Sequence, residues 1–486
     1  MTVVVSGTPL TIDEVVRVAR AREAVDLDPG ARDAMARARA VVEELGRSAE
    51  PVYGVSTGFG AMATRHIAPA DRRRLQVGVV RSHAAGMGPP VEDEVVRAMT
   101  LLPARTLASG VTGARPLLAE RLIDLLNTGT TPTVPEYGSL GCSGDLAPLA
   151  HVALALVDGG LVLEEKEGLS LINGTDGMLG MLCLAVTDAA TLLATADVTA
   201  AMSVEALLGT DQAFAADVVA LRPHPGQQKS AANLRALLAG SPIVASHRHG
   251  DRRVQDAYSL RCAPQVHGAA RDVLDHVRAV VDRELAAAID NPVVIDGRVA
   301  SHGNFHGAPL AYAADMAAIV LTDVVAMSER RVDRHLDANR SNGLPPFLAD
   351  DPGVDSGLMI AQYTAAALVA EARRLSVPAS VDSIPTSALQ EDHVSMGWAA
   401  ARKLRRVLSA VGRVLAVEAV VAARSLDLRR PLTPAAGTGA ALDRLRDVVP
   451  GPGPDRVLAP ELAAATELVT SGALLQAARA AVEVLG

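Results

Sequence analysis

The chain has 486 residues, a net charge of −9, 49% apolar residues and only 2% aromatic ones. An acidic balance argues against a nucleic-acid partner, which calls for a basic face. So few rings mean a core of Ala, Val and Leu, suited to closely packed helices. The length exceeds what one hydrophobic core usually serves, so two or more regions are expected.

Cys142, Cys183 and Cys262 show no Cys-x-x-Cys spacing, and an odd count fits a reducing, cytoplasmic setting better than a disulfide framework. The opening Met1-Thr2-Val3-Val4-Val5 lacks the basic-then-apolar layout of a secretory signal. The most membrane-like stretch, Gly177 to Val204, carries Asp188 and Asp197 among its alanines. That pattern favours a buried helix of a soluble protein over a membrane span.

In chain order, residues 1 to about 48 read as a short strand and two helices. Thr11 and Glu14 have capping-box spacing, and Asp28-Pro29 places an N-cap before a proline at the first helical position. Tyr53-Gly54-Val55-Ser56-Thr57-Gly58-Phe59-Gly60 is too glycine-rich for a regular element and predicts a loop. A helix follows, ending near Arg81 to Gly86; its Arg72-Arg73-Arg74 cluster is expected to be a solvated face. Helical patterns resume over 94–109 and 116–127. From about 190 onward long helical runs dominate, around 193–209, 265–289, 309–336, 356–374 and 398–424. The run 309–336 alone would be roughly 40 Å long at the rise of an α-helix. The expected fold is therefore mainly α, with a smaller mixed N-terminal region over 1–190 and an extended bundle of long helices over 191–486.

Polar and glycine-rich loops that interrupt such a scaffold are where function is expected. Seven of the ten aromatic residues (Tyr53, Phe59, Tyr137, Tyr258, Phe305, Phe347 and Trp398) lie in or beside these loops. The richest loop runs from Gly138 through Cys142-Ser143-Gly144-Asp145 to His151. Read alone, Ser-Gly pairs mark a turn. Yet Gly144 has no Cβ, so its amide nitrogen can approach the carbonyl carbon of Cys142 without steric penalty. Closing that bond makes a five-membered imidazolone, and loss of water from Ser143 leaves an exocyclic methylidene. No ordinary side chain offers such an electrophilic carbon.

The other polar blocks each admit a plain reading as well. His83 stands where a helix C-terminus favours a positive charge, and Asn173-Gly174 is a frequent turn pair. Arg261 offers a fork of donors suited to a carboxylate. His302-x-x-x-His306 has helical metal spacing, but no glutamate follows the first histidine and glycines flank it, so no metal is expected.

The block 138–151 closely resembles the cofactor-forming loop of the aromatic amino acid ammonia-lyases, and seven blocks from Tyr53 to Trp398 follow the family's order. The resemblance implies a 4-methylidene-imidazole-5-one formed from Cys142-Ser143-Gly144, with no external cofactor. The family commonly has alanine at the first position, but only the backbone there enters the ring, so a thiol should be tolerated. The resemblance further implies that Tyr53 takes the substrate's β-proton, that His83 lines the pocket for its ring, and that Asn173 holds its carboxylate or the ring oxygen. Tyr258 is expected near the cofactor, Gln255 in the polar lining, Arg261 on the α-carboxylate, and Phe305 against the cofactor ring.

Gln390 and Glu391 select among the family's branches. The phenylalanine and tyrosine branches generally carry Asn-Gln there, and the histidine branch carries Gln-Glu, in keeping with His83-Ala84. Glu391 can accept from an imidazole N–H and has nothing to offer a phenyl ring. The implied reaction is L-histidine to trans-urocanate and ammonia; the alternative is a tyrosine or phenylalanine lyase or aminomutase using the same electrophile. A non-catalytic helical scaffold would instead keep Ser143 as an ordinary serine. The implied partners are a small amino acid and three further copies of the chain, in a homotetramer with shared active sites, with neither nucleic acid nor membrane. Two departures stand out: the connection from His151 to Glu165 is short where relatives carry a longer excursion, and Ser56 replaces a frequent asparagine.

Overall fold

The computed structural model describes residues 2–48, 50–251 and 253–482. It is mainly α: nineteen α-helices and six short strands are found among these residues. The chain divides into two units, one of Met1–Ala185, Arg278–Asp315 and Pro378–Arg402, the other of Val186–Val277, Met316–Val377 and Lys403–Gly486. The first unit is thus completed by two segments that come late in the sequence.

The strands lie in the first unit. Thr2–Val5 pairs in parallel with Ala24–Leu27, a second strand that the sequence pattern did not separate from its neighbouring helices. Val3, Val5, Val25 and Leu27 point inward in strict alternation, as a half-buried strand requires. The intervening helix Ile12–Arg20 begins with the expected capping box, Thr11 and Glu14 satisfying each other's backbone N–H. Asp28 caps the helix Pro29–Gly46 with proline at its first position. The helix Pro69–His83 carries the arginine cluster, and here Arg72 departs from expectation. It is buried, and its guanidinium donates to the carbonyls of Gly46 and Ile67, so it ties the loop 46–67 to the helix instead of facing solvent.

The second unit contains buried charge as well as apolar packing. Asp197 is fully buried and accepts from Ser230, Asn233, His267 and Arg271 at 2.6–2.8 Å. Burial alone would raise its carboxyl, but Arg271 and His267 outweigh that and hold it well below the usual carboxylate range. Glu418 is likewise buried, gripped by Arg331 at 2.5 and 2.9 Å and by the hydroxyls of Thr199, Ser203 and Ser328. Two helices, Asp176–Ala206 and Ala308–Leu336, are long and apolar enough to cross a membrane by length and composition, and both are mostly buried within the protein. The Asp197 network gives the first of them a reason to be inside a protein: a lipid environment offers no such set of donors.

Candidate active site

Gly141 and Gly144 shape the loop that carries Ser143. Both have positive φ, 65° and 74°, and a Cβ on Gly144 would lie 2.1 Å from the carbonyl oxygen of Gly174. Only glycine fits there. The loop is then pinned by segments distant in sequence. Gly144 N donates to Phe305 O at 3.1 Å, and Gly307 N donates to Gly141 O at 3.0 Å. Ser395 Oγ donates to Gly141 O at 2.6 Å, and Met396 N donates to Leu140 O at 2.8 Å.

Behind the loop, Asp145 anchors it to the helix that follows Asn173. Its carboxylate accepts from Ser139 Oγ and Met178 N, each at 2.8 Å, and its own N–H donates to Gly174 O at 2.7 Å. Burial pushes the Asp145 carboxyl up to about 7. Burial, with Asp145 nearby, pushes Asp176 up to about 8. The Ser143 hydroxyl donates to Asn173 Oδ1 at 2.7 Å, and Asn173 Nδ2 donates to Asn291 O at 3.1 Å. Asn173 is therefore oriented from both ends of its amide.

Ser143 and Cys142 face a cavity of about 740 Å³ within the first unit. Of the residues singled out in the sequence, Tyr53, His83, Cys142, Ser143, Phe305, Gln390 and Glu391 line it. Asn173 sits just behind, in contact with Ser143. These come from separate stretches spread between residues 53 and 391. Among the expected aromatics, Tyr53, Phe59 and Phe305 line the cavity, whereas Trp398 is buried with its indole N–H on Glu136 O at 2.7 Å.

Gln255, Tyr258 and Arg261 are absent from the lining and belong to the second unit. Tyr258 is 69% exposed, with the Arg261 guanidinium 4.7 Å above its ring. The buried Nε of Arg261 has no hydrogen-bond partner among the described residues. Ser56, found where the family frequently has asparagine, is buried and accepts from Val52 N at 2.9 Å, closing a turn that contains Tyr53. The short connection after the helix Leu146–Asp158 leads directly to Lys166, which is fully buried on Asp290 at 2.5 Å.

Sequence reasoning gave no part to several lining residues. His306 and His393 stack with ring centroids 5.7 Å apart, and Asn291 orients Asn173. Cys142, expected to matter only through its backbone, donates its thiol to Glu391 Oε2 at 3.0 Å. Burial, and then Glu391, push that thiol up to about 12, so it is a proton donor at neutral pH. A pairing 249 residues apart leaves no local signal; the one hint was cysteine where the family commonly has alanine.

Chemically, the arrangement combines a constrained Ser-Gly pair, a phenol, a carboxylate and imidazoles around a partly apolar cavity, enough to seat a small ring-bearing molecule. A sequence profile of the aromatic amino acid lyases matches residues 10–162 and 159–447. The chain is 57% identical to a histidine ammonia-lyase of Streptomyces coelicolor over 502 aligned residues, covering 98% of each chain. Among solved structures, a tyrosine aminomutase of Streptomyces globisporus superposes with a TM-score of 0.92 at 37% identity, covering 100% of this chain and 99% of that one. A histidine ammonia-lyase of Trypanosoma cruzi does so with a TM-score of 0.90 at 37% identity, covering 99% and 96%.

Proposed function

Because the chain belongs to the aromatic amino acid lyase family, we infer that it removes ammonia from L-histidine without oxidation and releases trans-urocanate. The observation that carries this reading is Glu391, a carboxylate on the wall of the same cavity as Ser143. It can accept from an imidazole N–H, and it would be an unreciprocated charge beside a phenyl ring. The high identity to histidine ammonia-lyases over nearly the full length supports the same substrate.

The family's cofactor is a methylidene-imidazolone, and we take Cys142-Ser143-Gly144 as its source here. The residues fit it: Gly144 has no room for a Cβ, and the loop is fixed on both sides by Phe305, Gly307 and Ser395. When formed, the group supplies an electrophilic carbon that makes the substrate's amine a leaving group. The chain's own residues do the rest. Glu391 and Gln390 hold the imidazole, and His83 closes the pocket beside it. Tyr53 takes the β-proton from the face it lines, and Asn173 holds the carboxylate or the ring oxygen. Phe305 shields the reacting atoms from water.

Gln255, Tyr258 and Arg261 complete this set from another copy of the chain, in a homotetramer with shared sites. Two observations support that assignment. The Tyr53 hydroxyl has no hydrogen-bond partner among the described residues, and a phenol needs one to act as a base at neutral pH. Tyr258 is exposed in the unit that does not hold the cavity. Three free cysteines fit a cytoplasmic setting.

Purified protein should therefore release urocanate from histidine. Coumarate or cinnamate from tyrosine or phenylalanine, with no urocanate, would overturn the substrate assignment. Intact mass provides the separate check on the cofactor. The mature chain should be lighter than its sequence by two water molecules, and a Ser143→Ala variant should not be.

A further inference from the structure

Ring formation at 142–144 uses only main-chain atoms of Cys142, so its side chain has no part in that chemistry. The thiol is buried and donates to Glu391 Oε2 at 3.0 Å. Thr386 Oγ1 donates to the same oxygen at 3.2 Å. Thr386 and Glu391 are also locked together through their backbones, Thr386 N to Glu391 O at 2.9 Å and Glu391 N to Thr386 O at 3.3 Å. Between them Ser387, Ala388 and Leu389 all have positive φ, a strained turn that the bridge holds closed. Both side-chain contacts of Glu391 fall on Oε2. Oε1 has no protein partner among the described residues, and Glu391 lines the cavity.

We propose that Cys142 is a positioning residue for substrate choice: its thiol fixes Oε2 of Glu391, so that Oε1 is held out to the imidazole N–H. A glutamate has several rotamers, and choosing one on binding costs entropy that a preformed contact removes beforehand. Alanine at 142 would leave Thr386 as the only side chain on that oxygen among the described residues. A fixed carboxylate favours rings that carry an N–H and does nothing for a phenyl ring. The proposal rests on the histidine reading above and adds how that substrate is selected.

The test is calorimetric binding of imidazole-4-propionate and 3-phenylpropionate, two unreactive acids that differ in the ring. Intact mass read on the same samples reports ring closure. Cys142→Ala should bind the imidazole acid about tenfold more weakly, the scale of one lost hydrogen bond to a charged group. It should bind the phenyl acid unchanged, while still losing two waters. Cys142→Ser should restore most of the affinity. Thr386→Val should weaken imidazole binding in the same direction. The same loss should appear when Ser143→Ala is compared with Ser143→Ala/Cys142→Ala, where no ring forms, so failed maturation cannot mimic it. Unchanged imidazole affinity in Cys142→Ala, in either background, overturns the proposal. A wild-type protein that prefers the phenyl acid would instead overturn the histidine reading.

Discussion

Gly144→Ala is the sharpest test of the loop. The residue has φ of 74°, where a side chain costs about 1–2 kcal/mol. Its new Cβ would stand 2.1 Å from Gly174 O and 2.4 Å from Gly174 C. Backbone atoms cannot rotate aside as a flexible side chain would, so one of the two segments must retreat by about 1 Å to restore ordinary contact. That retreat breaks the 2.7 Å bond from Asp145 N to Gly174 O. Leaving those buried groups unpaired adds about 1–3 kcal/mol. The total is about 2–5 kcal/mol, concentrated where the proposed ring would close. We expect a lower melting temperature by scanning calorimetry, a full unreduced mass and no histidine turnover. A variant that melts with the wild type and still loses two waters would refute the reasoning.

Three further outcomes follow from other parts of the molecule. Asp145 and Asp176 keep protons in the fold up to about pH 7 and about pH 8, but release them near 3.8 when unfolded. The native state then binds more protons over that interval, so their contribution to stability falls as pH rises from about 4 to 8; Asp176→Asn should flatten the fall in thermal melts. In the second unit, Arg331→Met strands the buried Glu418 and should cost about 3–5 kcal/mol in denaturant unfolding. Adding Glu418→Leu should recover most of it. For the shared site, Ser143→Ala and Tyr258→Phe chains should each be inactive alone, and refolding them together should restore part of the turnover. No recovery in mixed oligomers would count against shared sites.

The parts of this molecule that were legible in the sequence are those fixed by local rules. Thr11 and Glu14 cap a helix because they are three residues apart, and Ala308–Leu336 stands within a residue of the expected 309–336, whereas the run read from 193 is the end of a longer helix, Asp176–Ala206. Ala24–Leu27 was missed because four residues carry little periodicity and its partner lies 22 positions earlier. Arg72 was misjudged because a guanidinium among exposed neighbours shows nothing of the carbonyls it will reach. Most of the candidate site could be named in advance, since glycines and polar residues in a helical background stand out. What could not be read was which side chains would touch, such as the thiol on Glu391 and the stacked His306 and His393, and that Tyr258 and Arg261 would fall in the unit that does not hold the cavity.

The pinning of residues 140–144 by 305–307 and 395–396 has a consequence in time. A ribosome delivers the Ser-Gly pair long before it delivers the segments that hold it. An emerging chain therefore carries that pair unpinned through most of its synthesis. If the ring proposed above forms in this loop, its closure waits until the last of those segments has docked.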